Sequence, residues 1–249
     1  MGLASLFRRK PRLSEEPDRT ITVDFHSHLL PGIDDGAKTV EDSIELIREL
    51  QYQGIKKIIT TPHILGDLYP NNPETIRAAE AKVQSRLKEE GIDMEFHPAA
   101  EYYLDEYFLS LLERGDELML FDDKTILIET NYVEKPEYLE QTIFDMTIDG
   151  YTVILAHPER YHYLIGQHKR IEKLFDTGVK FQVNLISFTG KYSPQIKQTA
   201  DFIANNEMIH YLGSDIHHMG HARLITEFKR SERYQELMEL PIMNNSLTA

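Results

Sequence analysis

Residues 20–63 have the sequence TITVDFHSHLLPGIDDGAKTVEDSIELIRELQYQGIKKIITTPH, and they show the pattern that predicts the fold. Short runs of β-branched and apolar residues at 21–25 and 57–61 are typical of buried strands. Between them, Thr39-Val40-Glu41-Asp42 resembles a capping box, and the helix that it opens is expected to end at Gly54. The stretch therefore predicts a strand, a helix and a second strand that lies parallel to the first.

The same alternation continues through the rest of the chain. Further strands are predicted at about 94–100, 125–129, 152–156, 179–184 and 209–213. Further helices are predicted at about 73–91, 136–149 and 168–177. Seven strand and helix repeats without an antiparallel hairpin signal favour a parallel barrel over an open sheet. We therefore expect an α/β protein with a TIM-like parallel (β/α)7 barrel.

Length and composition are compatible with one folded domain. The chain has 249 residues, which is within the usual range for one α/β barrel, and we expect the domain to cover residues 20–249. Residues 1–19 combine a short apolar and basic piece with prolines and acidic residues, which is typical of a flexible tail outside the fold. Weak contact of this tail with a membrane surface is the alternative interpretation.

Charge and cysteine content exclude several classes of protein. Lys and Arg number 27 against 41 Asp and Glu, so the formal net charge is −14 and the surface repels nucleic acid. The chain has no cysteine, which excludes disulfides, thiolate zinc sites, iron–sulfur clusters and a thiolate nucleophile. The sequence shows neither a secretory signal pattern nor an apolar run of ~20 residues. The cytoplasm is the expected location.

Metal-binding residue types follow nearly every predicted strand. His26 and His28 follow the first strand, and because they are two residues apart on an extended backbone, both imidazoles point the same way. Only the sixth strand ends without an ionisable group, at Asn184. Since active sites of parallel barrels form at the carboxyl ends of the strands, the side chains at these ends are expected to meet. The other strand ends carry His63, Glu101, Glu129, His157, Asp215 and His217.

The joint placement of these residues points to metal ions. A single histidine at a strand end is more often a hydrogen-bonded structural residue than a ligand. Neutral imidazole and carboxylate together suit divalent ions such as Zn²⁺, Mn²⁺ or Fe²⁺. Five histidines with three or four carboxylates exceed what one ion can use. The sequence therefore predicts two or three ions, with Glu101 bridging two of them.

Seven short motifs and single residues occur in the sequence in the following order: His26-Ser27-His28, Asp34-Asp35-Gly36, Thr61-Pro62-His63, Glu101, Glu129, His157-Pro158-Glu159-Arg160 and Ser214-Asp215-Ile216-His217. Together and in this order, they resemble the motifs of the PHP (polymerase and histidinol phosphatase) superfamily. Residues 31–36, 100–103 and 156–161 are similar, more closely, to the bacterial tyrosine-protein phosphatases of the CpsB/CapC group. The resemblance covers about residues 20–240. It implies a distorted seven-stranded barrel, the PHP fold, and the activity of a metal-dependent phosphomonoester hydrolase.

The resemblance also implies a role for each site residue. Arg160 and Arg223 would bind phosphate. Three ions are implied, with Mn²⁺ expected and Fe, Zn or Mg as the alternatives. The loop at 218–222 is one residue longer than the family pattern, so His218 or His221 would interfere with or supplement the third ion site. The three implied ion sites are His26, His28, Glu101 and Asp215; Glu101, Glu129 and His157; and Asp35, His63 and His217.

The implied substrate is phosphotyrosine on a protein, specifically a bacterial tyrosine kinase of capsule or exopolysaccharide biosynthesis. Two alternatives stay open. One is a phosphatase for small molecules such as histidinol phosphate, or a nucleotide phosphoesterase. The other is a non-catalytic module that docks a kinase. The resemblance is compatible both with a monomer and with a homo-oligomer.

Other polar residues near the motifs have simpler interpretations. Asp34 is expected to form a turn ahead of Gly36. Asp24 is expected to orient a ligating histidine or to cap its strand, and Glu159 to be structural. The remaining histidines follow no ligand pattern and are expected to lie outside the site; they are His97, His162, His168 and His210.

Overall fold

The structure is a computed structural model that describes residues 20–247, so the tail predicted at 1–19 lies outside the described residues. Every ladder between the strands of the described part is parallel, which confirms the α/β class with parallel strands. The strands are β1 (Val23–Asp24), β2 (Lys57–Thr60), β3 (His63–Ile64), β4 (Glu95–Pro98), β5 (Glu101–Tyr103), β6 (Thr125–Glu129), β7 (Thr152–Ala156), β8 (Lys180–Asn184) and β9 (Tyr211–Gly213).

The strands form two sheets, in the orders β1-β2-β4 and β3-β5-β6-β7-β8-β9. Because β3 follows β2 closely along the chain and β5 follows β4, the second sheet continues where the first ends. At the other edge, Ser27 and Ile216 form a parallel bridge, and the backbone N–H of Asp215 donates to the carbonyl oxygen of His26 at 2.7 Å. The last strand therefore lies beside the first, in the order that a parallel barrel requires.

Helices connect the strands, and the predicted capping box at Thr39 and Asp42 is present. None of the described helices has the length and apolarity needed to cross a bilayer. The sequence prediction missed α3, α6, α7 and α8. The helices are α1 (Val40–Tyr52), α2 (Pro73–Glu89), α3 (Glu106–Arg114), α4 (Leu139–Ile148), α5 (His168–Phe175), α6 (Pro194–Asn205), α7 (Met219–Phe228) and α8 (Glu232–Met238).

Several predicted boundaries are wrong. The strand predicted at 94–100 is too long, because β4 ends at Pro98, and β5, which belongs to the other sheet, begins only at Glu101. Likewise, β2 ends at Thr60 before β3 begins. Pro62 and Pro98 lie at these breaks, and proline has no N–H to donate to a ladder. The strands β1 and β9 are shorter than predicted. The helix predicted from 136 begins only at Leu139, where no side chain caps its first turn.

Two clusters of buried side chains lie on opposite faces of the strands. Along β7, Ile154 and Ala156 belong to one cluster, and Val153 and Leu155 belong to the other, as the side-chain period of two requires. The first cluster takes residues from strands of both sheets and none from a helix. The second includes helical residues such as Ile143 of α4. The strands therefore enclose a small inner core and carry the helices outside.

Candidate metal centre

The residues at the strand ends converge on one cavity. This cavity has a volume of about 330 Å³ and opens beyond the carboxyl ends of the strands. Most of the predicted ligands line it, while His26 and His28 are fully buried beneath its floor. The parallel topology thus gathers residues that are far apart in the chain. The lining includes Asp35, His63, Glu101, Glu129, His157, Arg160, Asp215 and His217.

The first implied ion site is assembled around two carboxylates. Nε2 of His26 lies 3.2 Å from Oε2 of Glu101 and 3.6 Å from Oδ1 of Asp215. Nε2 of His28 lies 3.4 Å from each of the same two oxygen atoms. The ligand atoms of His26, His28 and Glu101 fall within 4.8 Å of one another. The structure therefore brings this predicted set together.

The second and third implied sites share His63. Its Nδ1 lies 3.0 Å from Oε1 of Glu129 and 3.3 Å from Oε2 of Glu101, and its Nε2 lies 3.5 Å from Oδ1 of Asp35. Nε2 of His157 is 3.0 Å from Oε1 of Glu101. Nε2 of His217 is 3.4 Å from the same oxygen of Asp35. The fold thus brings the members of both sets together, but the closest groups combine them differently: His63 joins Glu101 and Glu129, while His157 joins His26 and Asp215.

Hydrogen bonds fix the orientation of the two deepest histidines. Nδ1 of His26 lies 2.7 Å from Oε1 of Gln182, and Nδ1 of His28 lies 2.9 Å from Oδ2 of Asp34. Each contact occupies one ring nitrogen and turns the other toward the cluster. Gln182 also accepts from the backbone N–H of His157 at 3.2 Å. One amide side chain therefore positions residues of two implied sites.

Buried polar atoms without hydrogen bonds mark the centre of the cluster. Among the described residues, Nε2 of His26, Nε2 of His28, Nδ1 of His63 and Oε2 of Glu101 are buried and lack a hydrogen-bond partner. Buried polar atoms are normally paired, and four orphaned ligand atoms facing one another are unusual. A divalent cation would satisfy all of them, so the donor set fits a metal centre of nitrogen and oxygen ligands.

The charges within the cluster also favour cations. Burial raises the pKa of Glu101, but the facing imidazoles of His26 and His63 outweigh burial and hold that pKa well below its usual range. Burial lowers the pKa of His63, yet Glu129 and Glu101 outweigh it and raise the pKa to about 9. Carboxylates concentrated in a buried cavity thus stay ionised only when positive charges lie beside them. Divalent ions bound in the cluster supply such charges.

Two of the cluster residues have unusual backbone conformations. His157 has φ of 34° and Asp215 has φ of 47°, both in the left-handed region that side chains other than glycine rarely occupy. Such strain persists where the surrounding structure imposes it, and it concentrates at functional sites. His157 directly follows β7 and Asp215 lies two residues after β9, so the turn that ends each strand also aims its ligand.

Two glycines allow the deep histidines to sit where they do. A Cβ at Gly36 would collide with the carbonyl oxygen of His28, and a Cβ at Gly213 would collide with the side chain of Gln182. The same added atom at Gly213 would lie 3.0 Å from the Cβ of His26. Positions 36 and 213 require glycine because their backbone lies in direct contact with residues that are ligands or that orient them, which leaves no room for a side chain.

Arg160 is held at the edge of the cluster. Its Nη1 donates to Oδ2 of Asp215 at 2.8 Å, and its guanidinium lies over the rings of Tyr132 and Tyr192 at 5.0 and 4.6 Å. Tyr132 also stacks on His157, with the ring centroids 5.6 Å apart. The guanidinium is therefore fixed by an ion pair and by two aromatic faces while it still lines the cavity.

Arg223, the second implied phosphate residue, is not brought into the cluster. It lies on α7 with an exposed side chain and does not line the cavity. His218 caps the start of α7 by accepting from the backbone N–H of Gly220. His221 lies beside the backbone of the cluster, with Nδ1 3.3 Å from the carbonyl oxygen of Asp215. In the described part of the chain, neither His218 nor His221 belongs to a group of potential metal ligands.

The simpler interpretations were partly right. Oδ1 of Asp34 accepts from the backbone N–H of Gly36, which confirms the turn, but its other oxygen orients His28. Glu159 is structural, since it accepts from the backbone of Asn184 and from Ser187. The four excluded histidines also lie outside the groups of potential ligands among the described residues.

Other contacts correct or extend the sequence interpretation. Asp24 does not orient His26 through a hydrogen bond, because Gln182 takes that place; Asp24 instead accepts from the backbone N–H of Ser214. Asn184, dismissed for lack of charge, donates to Oδ2 of Asp215 at 2.6 Å. The sequence reasoning missed Gln182 and Asn184, although both lie at the end of a predicted strand.

Parallel strands whose carboxyl ends carry a recessed cluster of histidines and carboxylates, with a half-buried arginine beside it, define the class of metal-dependent hydrolases built on an α/β barrel. Within this class, the sequence matches the family described as "Capsular polysaccharide synthesis, CpsB/CapC" over residues 22–238. The chain belongs to this family.

Similar proteins agree with this assignment. Tyrosine-protein phosphatase YwqE of Bacillus subtilis (strain 168) is 34% identical over 197 residues, which cover 79% of this chain and 78% of YwqE. Putative tyrosine-protein phosphatase CapC of Staphylococcus aureus is 26% identical over 222 residues, with 86% of each chain covered.

Solved structures give the same result. A chain from the crystal structures of YwqE from Bacillus subtilis and CpsB from Streptococcus pneumoniae, described as metal-dependent tyrosine phosphatases, matches with a TM-score of 0.79 and 29% identity over 90% of this chain and 93% of that chain. A histidinol phosphate phosphatase from Lactococcus lactis matches with a TM-score of 0.50 and 12% identity, covering 84% of this chain and 92% of that chain. The second likeness shows the fold alone.

Proposed function

We propose that this protein is a metal-dependent phosphatase that hydrolyses phosphotyrosine. The observation that carries the proposal is the recessed cluster of ligands with Arg160 fixed at its edge, in a chain whose relatives are named tyrosine-protein phosphatases. A cavity of about 330 Å³ with this lining suits a phosphate group and part of the group that it esterifies.

The proposed ion ligands are the nine residues that the family resemblance implies. We propose three ions, with Mn²⁺ as the expected metal, because imidazole and carboxylate without thiolate suit it. Divalent ions in such a site neutralise phosphoryl oxygens and acidify water. The proposed ligands are His26, His28, Asp35, His63, Glu101, Glu129, His157, Asp215 and His217.

Arg160 has the geometry of a phosphate anchor. Its guanidinium lines the cavity, is held by Asp215 and by two tyrosine rings, and still offers donors that the ion pair does not use. A planar donor held in advance binds phosphate oxygens at little cost in side-chain entropy. Arg160 thereby stabilises charge on the phosphoryl group. Arg223 remains a proposed second anchor, which requires its exposed side chain to move toward the cavity.

The chemistry of the leaving group supports an aryl phosphate as the substrate. Tyrosine has a pKa of about 10, so phenolate departs with less assistance from an acid than an alkoxide needs. Because the sequence has no cysteine, a thiolate nucleophile is excluded, and we propose that water at the cluster attacks the phosphorus atom.

The proposed partner is a bacterial tyrosine kinase of capsule or exopolysaccharide biosynthesis, in keeping with the family's description. Since a kinase takes its phosphate from ATP, we place the encounter in the cytoplasm. The net charge of −14 supports a partner other than nucleic acid.

The test uses the Mn²⁺-loaded protein and a phosphotyrosine peptide. His157→Ala is expected to lower kcat/KM by about a hundredfold or more, because a ligand is lost. His162→Ala removes an exposed histidine outside the cluster and should leave turnover unchanged. Circular dichroism of both variants controls for folding. Turnover that survives His157→Ala after the metal has been removed by a chelator would contradict the metal mechanism.

The small-molecule alternative is tested with the same preparation. The likeness to histidinol phosphate phosphatase rests on 12% identity and concerns the fold alone, so it does not favour that substrate. We expect a higher kcat/KM for the phosphotyrosine peptide than for histidinol phosphate. An equal or higher value for histidinol phosphate would replace the proposed substrate with a small molecule.

A further inference from the structure

A short loop forms an apolar wall on one side of the metal centre. It follows β3 and comprises residues 65–69, called here the rim loop. Leu65, Leu68 and Tyr69 line the same cavity as His63 and Glu101. The apolar wall and the charged ligands therefore belong to one cavity.

The rim loop is held in place by its own backbone and by the start of α3. Leu65 and Tyr69 exchange backbone hydrogen bonds of 3.0 and 2.9 Å, which close the loop on itself. The backbone N–H of Gly66 donates to Oδ2 of Asp105 at 3.1 Å. A Cβ at position 66 would lie 2.7 Å from the Cβ of Tyr107, so the loop packs closely against α3. The wall is thus preorganised before a ligand arrives.

The solvent exposure of the residues increases from the metal ligands to the rim loop. The side chain of Glu101 is 1% exposed and that of His63 is 13% exposed, whereas Leu68 is 63% exposed. The ring of Tyr69 stacks on that of His63, with centroids 5.7 Å apart and planes at 11°. A phosphate among the ligands therefore lies below the rim, and the group that it esterifies has to pass the wall.

We propose that the rim loop selects aryl phosphates, with Leu68 and Tyr69 as specificity-determining residues that pack against the ring next to the phosphate. The inference rests on the proposed function and identifies the residues that choose its substrate. An aromatic ring is flat and apolar, so it displaces water from this wall while the phosphate binds the charged floor. A short alkyl phosphate leaves the wall unfilled and gains nothing from it.

The test compares two competitive inhibitors, phenylphosphonate and methylphosphonate, which share one charged group. With the Mn²⁺-loaded protein, phenylphosphonate is expected to have the lower Ki. Leu68→Ser should reduce this preference about 3- to 10-fold and leave the Ki of methylphosphonate unchanged. Leu68→Met keeps an apolar contact and should retain the preference. Ile148→Ser is the matched control, because Ile148 is a 70% exposed residue of α4 outside the cavity.

Each outcome decides whether the rim loop selects aryl phosphates. An unchanged preference in Leu68→Ser overturns the inference. An equal loss of affinity for both phosphonates also overturns it, because the variant would then disturb the phosphate site instead. Failure of the proposed function has a different signature, since the wild-type protein would then not hydrolyse the phosphotyrosine peptide at all.

Discussion

Arg160 donates a hydrogen bond of 2.8 Å to Oδ2 of Asp215, and the other oxygen of the same carboxylate faces the proposed metal ligands His26 and His28. One carboxylate thus links the phosphate anchor to the metal cluster. Asn184 donates to the same Oδ2 at 2.6 Å, so Asp215 is held through one oxygen and offers the other. The position of the guanidinium of Arg160 therefore depends on the position of the proposed metal ligand Asp215.

The two implied phosphate arginines are expected to differ in importance. Arg160→Ala should lower kcat/KM by about a hundredfold, because it removes a fixed donor from the phosphate site. Arg223→Ala should lower it by about tenfold or less, since an exposed side chain has to be reordered before it helps. Steady-state kinetics on a phosphotyrosine peptide measure both. Equal losses would show that α7 moves its arginine fully into the site when substrate binds.

Tyr132 is expected to position Arg160 through its ring. It lies under the guanidinium at 5.0 Å and stacks on His157 at 5.6 Å. Tyr132→Leu removes the aromatic face and should raise KM and lower kcat/KM by about 3- to 30-fold. Tyr132→Phe keeps the ring and should restore most of the activity. If the phenylalanine variant were as impaired as the leucine variant, the hydroxyl and not the ring would be the important group.

Gln182 is expected to support metal binding without touching the metal. Its Oε1 fixes Nδ1 of His26 and the backbone N–H of His157. Gln182→Met has a similar volume but no acceptor, so Mn²⁺ affinity should fall about 10- to 100-fold. Isothermal titration of chelator-stripped protein measures the affinity. Gln141→Met, at an exposed position of α4, is the matched control, and a similar loss in both variants would refute the role of Gln182.

The sequence predicts the ligands better than the residues that orient them. His157 and Asp215 were found because ionisable groups at the ends of parallel strands must meet at one edge. Gln182 carries no charge, and its role depends on the position of His26, just after β1, relative to β8, which no local pattern encodes. Arg223 shows the same limit, since the direction of its side chain depends on how α7 packs against the rest of the fold.

The sequence prediction missed some helices and strands for two kinds of physical reason. Asp105 and Ser193 cap the first turns of α3 and α6 with their side chains, so local signals existed and were overlooked. By contrast, α7 is capped by His218, which is an uncommon residue at this position. The strands β3 and β5 were missed because each begins just after a predicted strand, where the chain passes from one sheet to the other, which is a tertiary event.

His210 is expected to make stability depend on pH without involving the metal centre. It is half-buried beside Lys180, and burial followed by that positive charge lowers its pKa from 6.5 to about 4. Its Nδ1 lies 3.2 Å from the backbone N–H of Phe181, a contact that requires an unprotonated nitrogen. Because the unfolded chain binds more protons between these values, the stabilisation is present above pH 6.5 and is lost as the pH falls through about 4.

His210→Asn isolates this contribution, because asparagine offers an oxygen near the position of Nδ1 and does not titrate. Groups in the metal centre also titrate, but they do so equally in both proteins. The wild-type protein should lose about 1 kcal/mol more stability than the variant between pH 7 and pH 4, a value reduced from the full shift because His210 is partly solvated. Urea unfolding at both pH values measures the difference. A constant difference between the two proteins would mean that His210 titrates alike in the folded and unfolded chains.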